Sequence, residues 1–195
     1  MAKLEYTLKN DIMFKMLFVQ HQDLLKNLVS TLLNIPLESI QRFEVTNSEI
    51  PPDALGEKFC RLDINMTVDK QRIALEIQVE REEAFPERLL YYWAREYSAT
   101  LPSGYDYKAL PRTVVISIID FNQFKGNYFF HSEFRPLEVT RHELLSDKMS
   151  LHFFELKKLP ENELDISNKL LLWLSLFKAN TEEEIAQIKA LKEPV

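Results

Sequence analysis

The amino-acid sequence predicts an α/β fold in which a mixed central β-sheet is flanked by helices. Two observations predict it. Apolar residues recur every three or four positions near both ends of the chain, and they alternate with polar residues in the middle. The chain has 195 residues, 46% hydrophobic and 28% charged, which is ordinary for a globular protein with a sizeable core. The predicted order of elements is α-β-β-β-α-β-β-β-α-α.

Four segments show helical spacing: residues 10–33 with a break near 20–22, 82–101, 165–178 and 181–191. Asn10 is placed to cap the first helix, and Pro86 lies in the first turn of the aromatic-rich second one. Thr181 and Glu184 have the spacing of a capping box at the start of the last helix. Pro36 and the four residues after it predict a short helical turn.

Six segments show strand patterns: residues 43–46, 61–68, 71–80, 112–120, 127–139 and 149–156. Pro51 and Pro52 keep the loop at 50–53 out of any central strand. The Val/Ile-rich run at 112–120 has the composition of a strand buried on both faces. A polar connection at 141–148 joins the last two strands.

Residues 61–80 predict an amphipathic hairpin. A two-residue turn at Asp69-Lys70 places Asp63 directly across from Glu76. One face is then apolar, and the other carries the polar side chains together with one alanine: Asp63, Asn65 and Thr67 against Arg72, Ala74, Glu76, Gln78 and Glu80. The alternation fixes the register, because a slip by one residue would expose the whole apolar face.

The facing carboxylates of Asp63 and Glu76 need an explanation. Opposed residues on one sheet face have Cβ atoms about 4.5–5.5 Å apart, where like charges repel. Such a pair either shares a proton or binds a cation. Mg²⁺ binds through one or two carboxylates and a substrate phosphate, and it can activate water. The alternative is a solvent-exposed polar face on which Arg72 and Lys70 offset the acids.

Composition excludes several classes of protein. Only three glycines occur, so neither a glycine-rich phosphate loop nor a dinucleotide fingerprint is present. The single cysteine, Cys60, excludes an internal disulfide and suits a reducing cytoplasm. No apolar run approaches membrane-spanning length, and the N-terminus lacks the apolar core of a signal peptide. A net charge of −6 disfavours a passive DNA-binding module more than a nuclease whose metal supplies positive charge.

Several other polar residues have two possible interpretations, one structural and one functional. Asp11 and Lys15 share a helix face, either as a surface ion pair or beside the metal site. A second helix face could pack in the core or line a DNA groove; it carries Arg88, Tyr91, Tyr92 and Arg95. Glu80 is either solvated or a ligand of a second metal. The four histidines lack metal-ligand spacing and are expected to be structural or exposed: His21, His131, His142 and His152.

The hairpin resembles the core of the PD-(D/E)XK nuclease superfamily, in which an Asp on one strand faces an acid-x-Lys on the next. Here the second part stands as Glu76-Ile77-Gln78. With this Gln-for-Lys form, the chain resembles the Rpn (recombination-promoting nuclease)/transposase family. The similar blocks occur in order at residues 8–15 (LKNDIMFK), 62–63 (LD), 75–79 (LEIQV), 88–95 (RLLYYWAR), 101–110 and 114–118 (VVISI).

The resemblance implies a restriction-endonuclease-like core at residues 1–160, followed by C-terminal helices at 161–195. It implies an Mg²⁺- or Mn²⁺-dependent DNA endonuclease linked to recombination or mobile elements, with Asp63 and Glu76 as metal ligands. Gln78 takes the place of the motif lysine, and Lys15 is a candidate for the missing positive charge. DNA is the implied partner, and the candidate residues for contacting it are Asp11, Arg88, Tyr92 and Arg95. A cytoplasmic location and a homodimer are further expectations, and relatives often continue past the final helices.

The alternative function is a catalytically weak or inactive nuclease-fold protein that binds nucleic acid or a protein partner. Two features favour it. Gln78 cannot supply a positive charge, and the chain is acidic overall.

Overall fold

The computed structural model describes residues 3–46, 49–50, 60–61, 63–99, 104, 106–160 and 168–190. Its helices are α1 (Asp11–Gln20), α2 (Gln22–Leu32), α3 (Phe85–Ser98), α4 (Lys169–Lys178) and α5 (Glu182–Ala190). Its strands are β1 (Phe43–Thr46), β2 (Glu49–Ile50), β3 (Cys60–Arg61), β4 (Ile64–Val68), β5 (Gln71–Gln78), β6 (Arg112–Ile119), β7 (His131–Phe134) and β8 (Met149–Glu155).

Six strands form one mixed sheet in the order β1-β4-β5-β6-β8-β7. The pairs β5–β6 and β6–β8 are parallel, whereas β1–β4, β4–β5 and β7–β8 are antiparallel. Strands β2 and β3 pair separately. Helices lie on both faces of the large sheet, so the predicted α/β fold is confirmed.

The hairpin has the predicted register. Ile64 pairs with Leu75 and Val68 pairs with Gln71 across the turn at Asp69-Lys70. Asp69 has a left-handed backbone conformation, with φ 53°. Its Oδ1 accepts hydrogen bonds from the backbone N–H groups of Gln41 and Arg42, at 3.0 and 2.8 Å. The turn is therefore tied to the start of β1, which pairs with the outer side of β4.

The apolar hairpin face lies in the main core, beneath α1, α2 and α4. Aromatic packing joins α1 and α4, because Phe177 of α4 packs against Phe14 and Phe18 of α1 with ring centroids 6.0 and 6.1 Å apart. The indole N–H of Trp173 also donates to Asn27 Oδ1 at 3.0 Å. The C-terminal helix α4 thus packs on the N-terminal helices; the division of the chain at residue 160 stays a prediction.

Most of the polar hairpin face is covered as well, apart from the exposed Glu80, so the alternative of a solvent-exposed face is wrong. Helix α3 covers it, with Phe85 and Leu89 packed in a second core that includes Ala74, Val115 and Phe153. Asn65 and Glu76 are only 1% and 6% exposed. Arg72, expected to offset the hairpin acids, instead pairs with Glu96 of α3 at 2.9 Å.

The helix predictions hold in their main features. The first predicted helix breaks at His21, as expected, and Asn10 Oδ1 accepts from the Met13 N–H to cap α1. The capping box of α5 is present in both directions, from Glu184 N–H to Thr181 Oγ1 and from Thr181 N–H to Glu184 Oε2. Helix α3 begins later than predicted, at Phe85, which places Pro86 in its first turn. A turn of 3₁₀ helix follows Pro36.

The predicted strand at residues 127–139 is reduced to β7, which has four residues. Asn127 Oδ1 accepts from the Phe129 N–H and starts a turn on one side. On the other side Pro136 lacks an N–H, and Glu138 accepts from the N–H groups of Thr140 and Arg141. These local hydrogen bonds compete with sheet pairing and limit the strand.

Several predictions concern residues outside the described ranges. They are the loop at 51–53, Leu62, residues 100–103 and 105, and the start of the helix predicted at 165. Within the described residues, no helix is both long and apolar enough to cross a membrane.

Candidate active site

The candidate site lies at the open end of the hairpin, where β4 begins and β5 ends. Asp63 immediately precedes β4, and Glu76 and Gln78 are two of the last three residues of β5. The backbone N–H of Asp63 donates to Glu76 Oε2 at 3.2 Å, and the Ile77 N–H donates to Asp63 Oδ2 at 2.7 Å. The two carboxylates are therefore neighbours, and each is held by the other residue's strand.

Helix α1 brings a lysine to this pair. Lys15 Nζ lies 3.1 Å from Asp63 Oδ1 and 2.6 Å from Asp11 Oδ1. Both alternatives for Asp11 and Lys15 therefore apply, because they form an i,i+4 ion pair and Lys15 also contacts the site. Burial disfavours the charged amine, but hydrogen bonds to Asp11 and Asp63 outweigh it and raise the pKa of Lys15. Lys15 stays protonated next to Asp63.

Helix α3 brings an arginine to the other carboxylate. Arg88 Nη2 donates to Glu76 Oε1 at 3.2 Å and to Gln78 Oε1 at 2.9 Å. Its Nη1 binds both carboxylate oxygens of Glu82, at 2.8 and 2.7 Å. The guanidinium also lies over the rings of Phe85 and Tyr92, 4.9 and 5.8 Å from their centroids. Arg88 thus connects the acid-x-Gln motif to α3.

Gln78 is engaged at both ends of its amide. Its Oε1 accepts from Arg88, and its Nε2 donates to the Glu80 carbonyl at 2.9 Å and to Glu82 Oε1 at 3.3 Å. The C-terminal end of β6 lies next to Gln78, because the N–H of Asp120, the residue after β6, donates to the Gln78 carbonyl at 3.0 Å. The role predicted for Gln78 in the motif lysine's position stays a prediction.

The electrostatics favour a protonated or cation-bound pair. Burial, followed by the nearby charge of Asp63, raises the pKa of Glu76 to about 8, although Arg88 opposes this. Burial also raises the pKa of Asp63, against the hydrogen bond from Ile77 N–H. Two buried carboxylates side by side resist ionising together, which is the condition under which a divalent cation binds well.

The donor set fits a hard divalent ion. Asp63 and Glu76 offer carboxylate oxygens, which Mg²⁺ and Mn²⁺ prefer, and Mg²⁺ commonly retains several water ligands. Two oxygens could turn to an ion by releasing Lys15 and Arg88, namely Asp63 Oδ1 and Glu76 Oε1. No group of three or more His, Cys, Asp or Glu side chains is arranged for a metal in the described part of the chain. Among the described residues, the site therefore presents two candidate ligands, Asp63 and Glu76.

The remaining candidates lie at varied distances from this pair. Tyr92 and Arg95 are half-buried on α3, and their contact with DNA stays a prediction. Glu80 is exposed, beyond the end of β5. His131 and His152 lie on the neighbouring strands β7 and β8, hydrogen-bonded ring to ring at 3.1 Å. Burial lowers the pKa of His152 to about 4.

Two contacts at the site were missed from the sequence. Arg88 was expected to contact DNA, but it also binds Glu76 and Gln78 directly. Glu82, which orients Arg88, was not singled out at all. Their spacing held a signal: Glu82 precedes Arg88 by six positions across a helix start, so the two can meet when the chain reverses after β5.

A mixed sheet flanked by helices, with paired acids at the end of a central hairpin, defines the restriction-endonuclease-like class of α/β proteins. A family model described as "PD-(D/E)XK nuclease family transposase" matches residues 8–195, and the chain belongs to this family. The predicted family is thereby confirmed, and the chain is a nuclease-fold protein of a family associated with mobile elements. Nucleases of this superfamily generally use divalent metal ions. Comparison with curated proteins and with solved structures gave no match.

Proposed function

We propose that the protein is an Mg²⁺- or Mn²⁺-dependent DNA endonuclease that hydrolyses phosphodiesters in recombination or in the movement of mobile elements. One observation carries the proposal: Asp63 and Glu76 are adjacent, their side chains are only 13% and 8% exposed, and each is paired with a cation from a different helix. Adjacent acids next to fixed positive charges suit metal-assisted hydrolysis of a phosphodiester, since the acids can bind the metal and the cations can bind the phosphate.

Each side chain has a proposed role. Asp63 and Glu76 hold the divalent ion, which when bound supplies a Lewis acid for water activation and for charge on the phosphate. Lys15 and Arg88 contribute positive charge beside the scissile group. Gln78 positions polar groups by hydrogen bonding, because its amide carries no charge. Asp11 holds Lys15 in place through the ion pair of 2.6 Å.

Plasmid nicking in Mg²⁺ or Mn²⁺ tests the enzyme. Wild type is expected to nick supercoiled plasmid, and Asp63→Ala or Glu76→Ala is expected to lower the rate at least about 100-fold, because each removes a metal ligand. Glu143→Ala is the matched control, since Glu143 is an exposed acid on the connection between β7 and β8. Equal nicking by all four proteins would contradict the proposal.

Thermal denaturation tests the metal site independently of turnover. Mg²⁺ or Mn²⁺ in excess over its dissociation constant is expected to raise the midpoint of wild type, since the ion binds the folded state only. Asp63→Ala and Glu76→Ala are expected to lose this rise, while Glu143→Ala keeps it. A rise of the same size in all variants would mean that the ion binds elsewhere.

The second candidate is a nuclease-fold protein that binds nucleic acid or a protein partner without cutting. The engagement of Gln78 with Arg88, in place of a motif lysine, favours it. It predicts that wild type binds DNA but fails to nick plasmid in either metal. A DNA partner, a homodimer and a cytoplasmic location stay predictions under both candidates.

A further inference from the structure

The two acids of the candidate site are already neutralised by cations of the chain. Lys15 contacts Asp63 Oδ1, and Arg88 contacts Glu76 Oε1. The second oxygen of each acid accepts a backbone N–H, from Ile77 for Asp63 and from Asp63 for Glu76. All four carboxylate oxygens thus have a donor, and the charged donors, Lys15 and Arg88, compete with a divalent ion for the same two acids.

We propose that Arg88 takes over the role of the missing motif lysine by exchanging partners. It neutralises Glu76 in the metal-free site and binds a phosphodiester oxygen of DNA when a divalent ion takes Glu76. This inference rests on the proposed function, because it requires that Asp63 and Glu76 bind a divalent ion. It assigns to Arg88 a task that the family motif gives to the residue at position 78.

The contacts of Arg88 suit an exchange of partners. Glu82 holds Nη1 with two short bonds, of 2.7 and 2.8 Å, whereas Nη2 donates to Gln78 Oε1 at 2.9 Å and makes the longer contact of 3.2 Å to Glu76. The rings of Phe85 and Tyr92 restrict the guanidinium on its faces. Nη1 therefore anchors the group, and a small rotation about this anchor turns Nη2 from Glu76 to a new acceptor. The side chain is 25% exposed, so DNA can reach it.

Charge balance gives the exchange a direction. Without the ion, the four acids that contact Lys15 and Arg88 outnumber these two cations, and the acidic cluster offers DNA little attraction; the acids are Asp11, Asp63, Glu76 and Glu82. A divalent ion adds two positive charges and removes this negative surplus, and Arg88 and Lys15 lose their contacts with Glu76 and Asp63 while Glu82 and Asp11 still hold them. A guanidinium binds phosphate strongly through paired N–H donors. Ion and DNA should therefore strengthen each other's binding, and reciprocally so.

Arg88→Gln separates this role from a merely structural one. Calorimetric titration with Ca²⁺ is expected to show Ca²⁺ binding to the metal-free variant about 3–10-fold more tightly than to wild type, because no arginine competes for Glu76. In Ca²⁺, fluorescence anisotropy with a duplex oligonucleotide is expected to show at least about 5-fold weaker binding, with the salt slope reduced by about 1. A structural defect would instead weaken the binding of both Ca²⁺ and DNA.

Two further variants complete the test. Arg141→Gln removes an exposed arginine on the distant β7–β8 connection and is expected to leave both affinities within about 2-fold. Arg88→Lys keeps the charge and should retain the salt slope, and it carries the test if the glutamine variant does not fold. Weaker Ca²⁺ binding by Arg88→Gln, an unchanged affinity for DNA, or a lost salt slope in Arg88→Lys would overturn the inference. If wild type binds no Ca²⁺ and does not nick plasmid, the proposed function itself has failed.

Discussion

Replacing Glu96 with alanine is expected to lower the free energy of unfolding by about 3 kcal/mol. Glu96 lies on the buried side of α3 and is 3% exposed. Its Oε2 accepts from Arg72 at 2.9 Å, and its Oε1 accepts from the amide of Asn65. Alanine would leave the guanidinium of Arg72 and the Asn65 amide without this acceptor beneath the helix, and an uncompensated buried charge is costly.

Urea denaturation of Glu96→Ala and Glu87→Ala measures this effect. Glu87 lies on the exposed side of the same helix, so its removal should change stability by no more than about 0.5 kcal/mol. The double variant Glu96→Leu with Arg72→Met should recover at least half of the loss, because it removes both charges from the buried face. A loss for Glu96→Ala no larger than that for Glu87→Ala would show that the buried network contributes little.

The hairpin shows how much of the site was predictable from the sequence. Strict alternation and a two-residue turn determined which residue lies across from which, so the adjacency of Asp63 and Glu76 followed from local rules. Helix limits near Asn10 and Thr181 were also local, since capping side chains contact N–H groups only three residues away. Short-range geometry of this kind needs no knowledge of the tertiary structure.

The covering of the polar face by α3 needed long-range information that alternation does not contain. A polar stripe on one strand face normally indicates solvent. Two apolar residues indicate that this face is covered. Ala74 interrupts the polar stripe, and Val115 lies beside it on the same face of the neighbouring β6. The partners that satisfy Arg72 and Glu76 come from α3, so Glu96 and Arg88 could be placed only once the fold was known.

Wild-type stability is expected to fall as the pH rises through the range in which Glu76 ionises. Burial and the charge of Asp63 raise the pKa of Glu76 to about 8, from an ordinary value of 4.5. Because the folded-state pKa is the higher one, the folded protein holds this proton more tightly than the unfolded chain. The resulting stabilisation is complete below about pH 4.5 and is lost as the pH rises through about 8.

Glu76→Gln should remove most of this pH dependence, because the amide cannot ionise. Between about pH 5 and about pH 9, wild type should lose about 3 kcal/mol more than this variant in urea denaturation with EDTA present. Glu82→Gln is the matched control: it is the same substitution in an exposed acid that also binds Arg88, and it should retain the wild-type slope. Equal slopes for wild type and Glu76→Gln would contradict the assignment.

The stabilisation that a divalent ion provides should have the opposite pH dependence and grow as the pH rises. An ion binds the ionised carboxylates and must displace the proton of Glu76, so its affinity grows as the pH rises towards 8. The increase in thermal midpoint caused by Mg²⁺ should therefore be larger at about pH 8 than at about pH 6. Glu76→Gln should lose the increase at both values. A pH-independent increase would mean that the ion binds a site without Glu76, and the paired acids would then need another explanation.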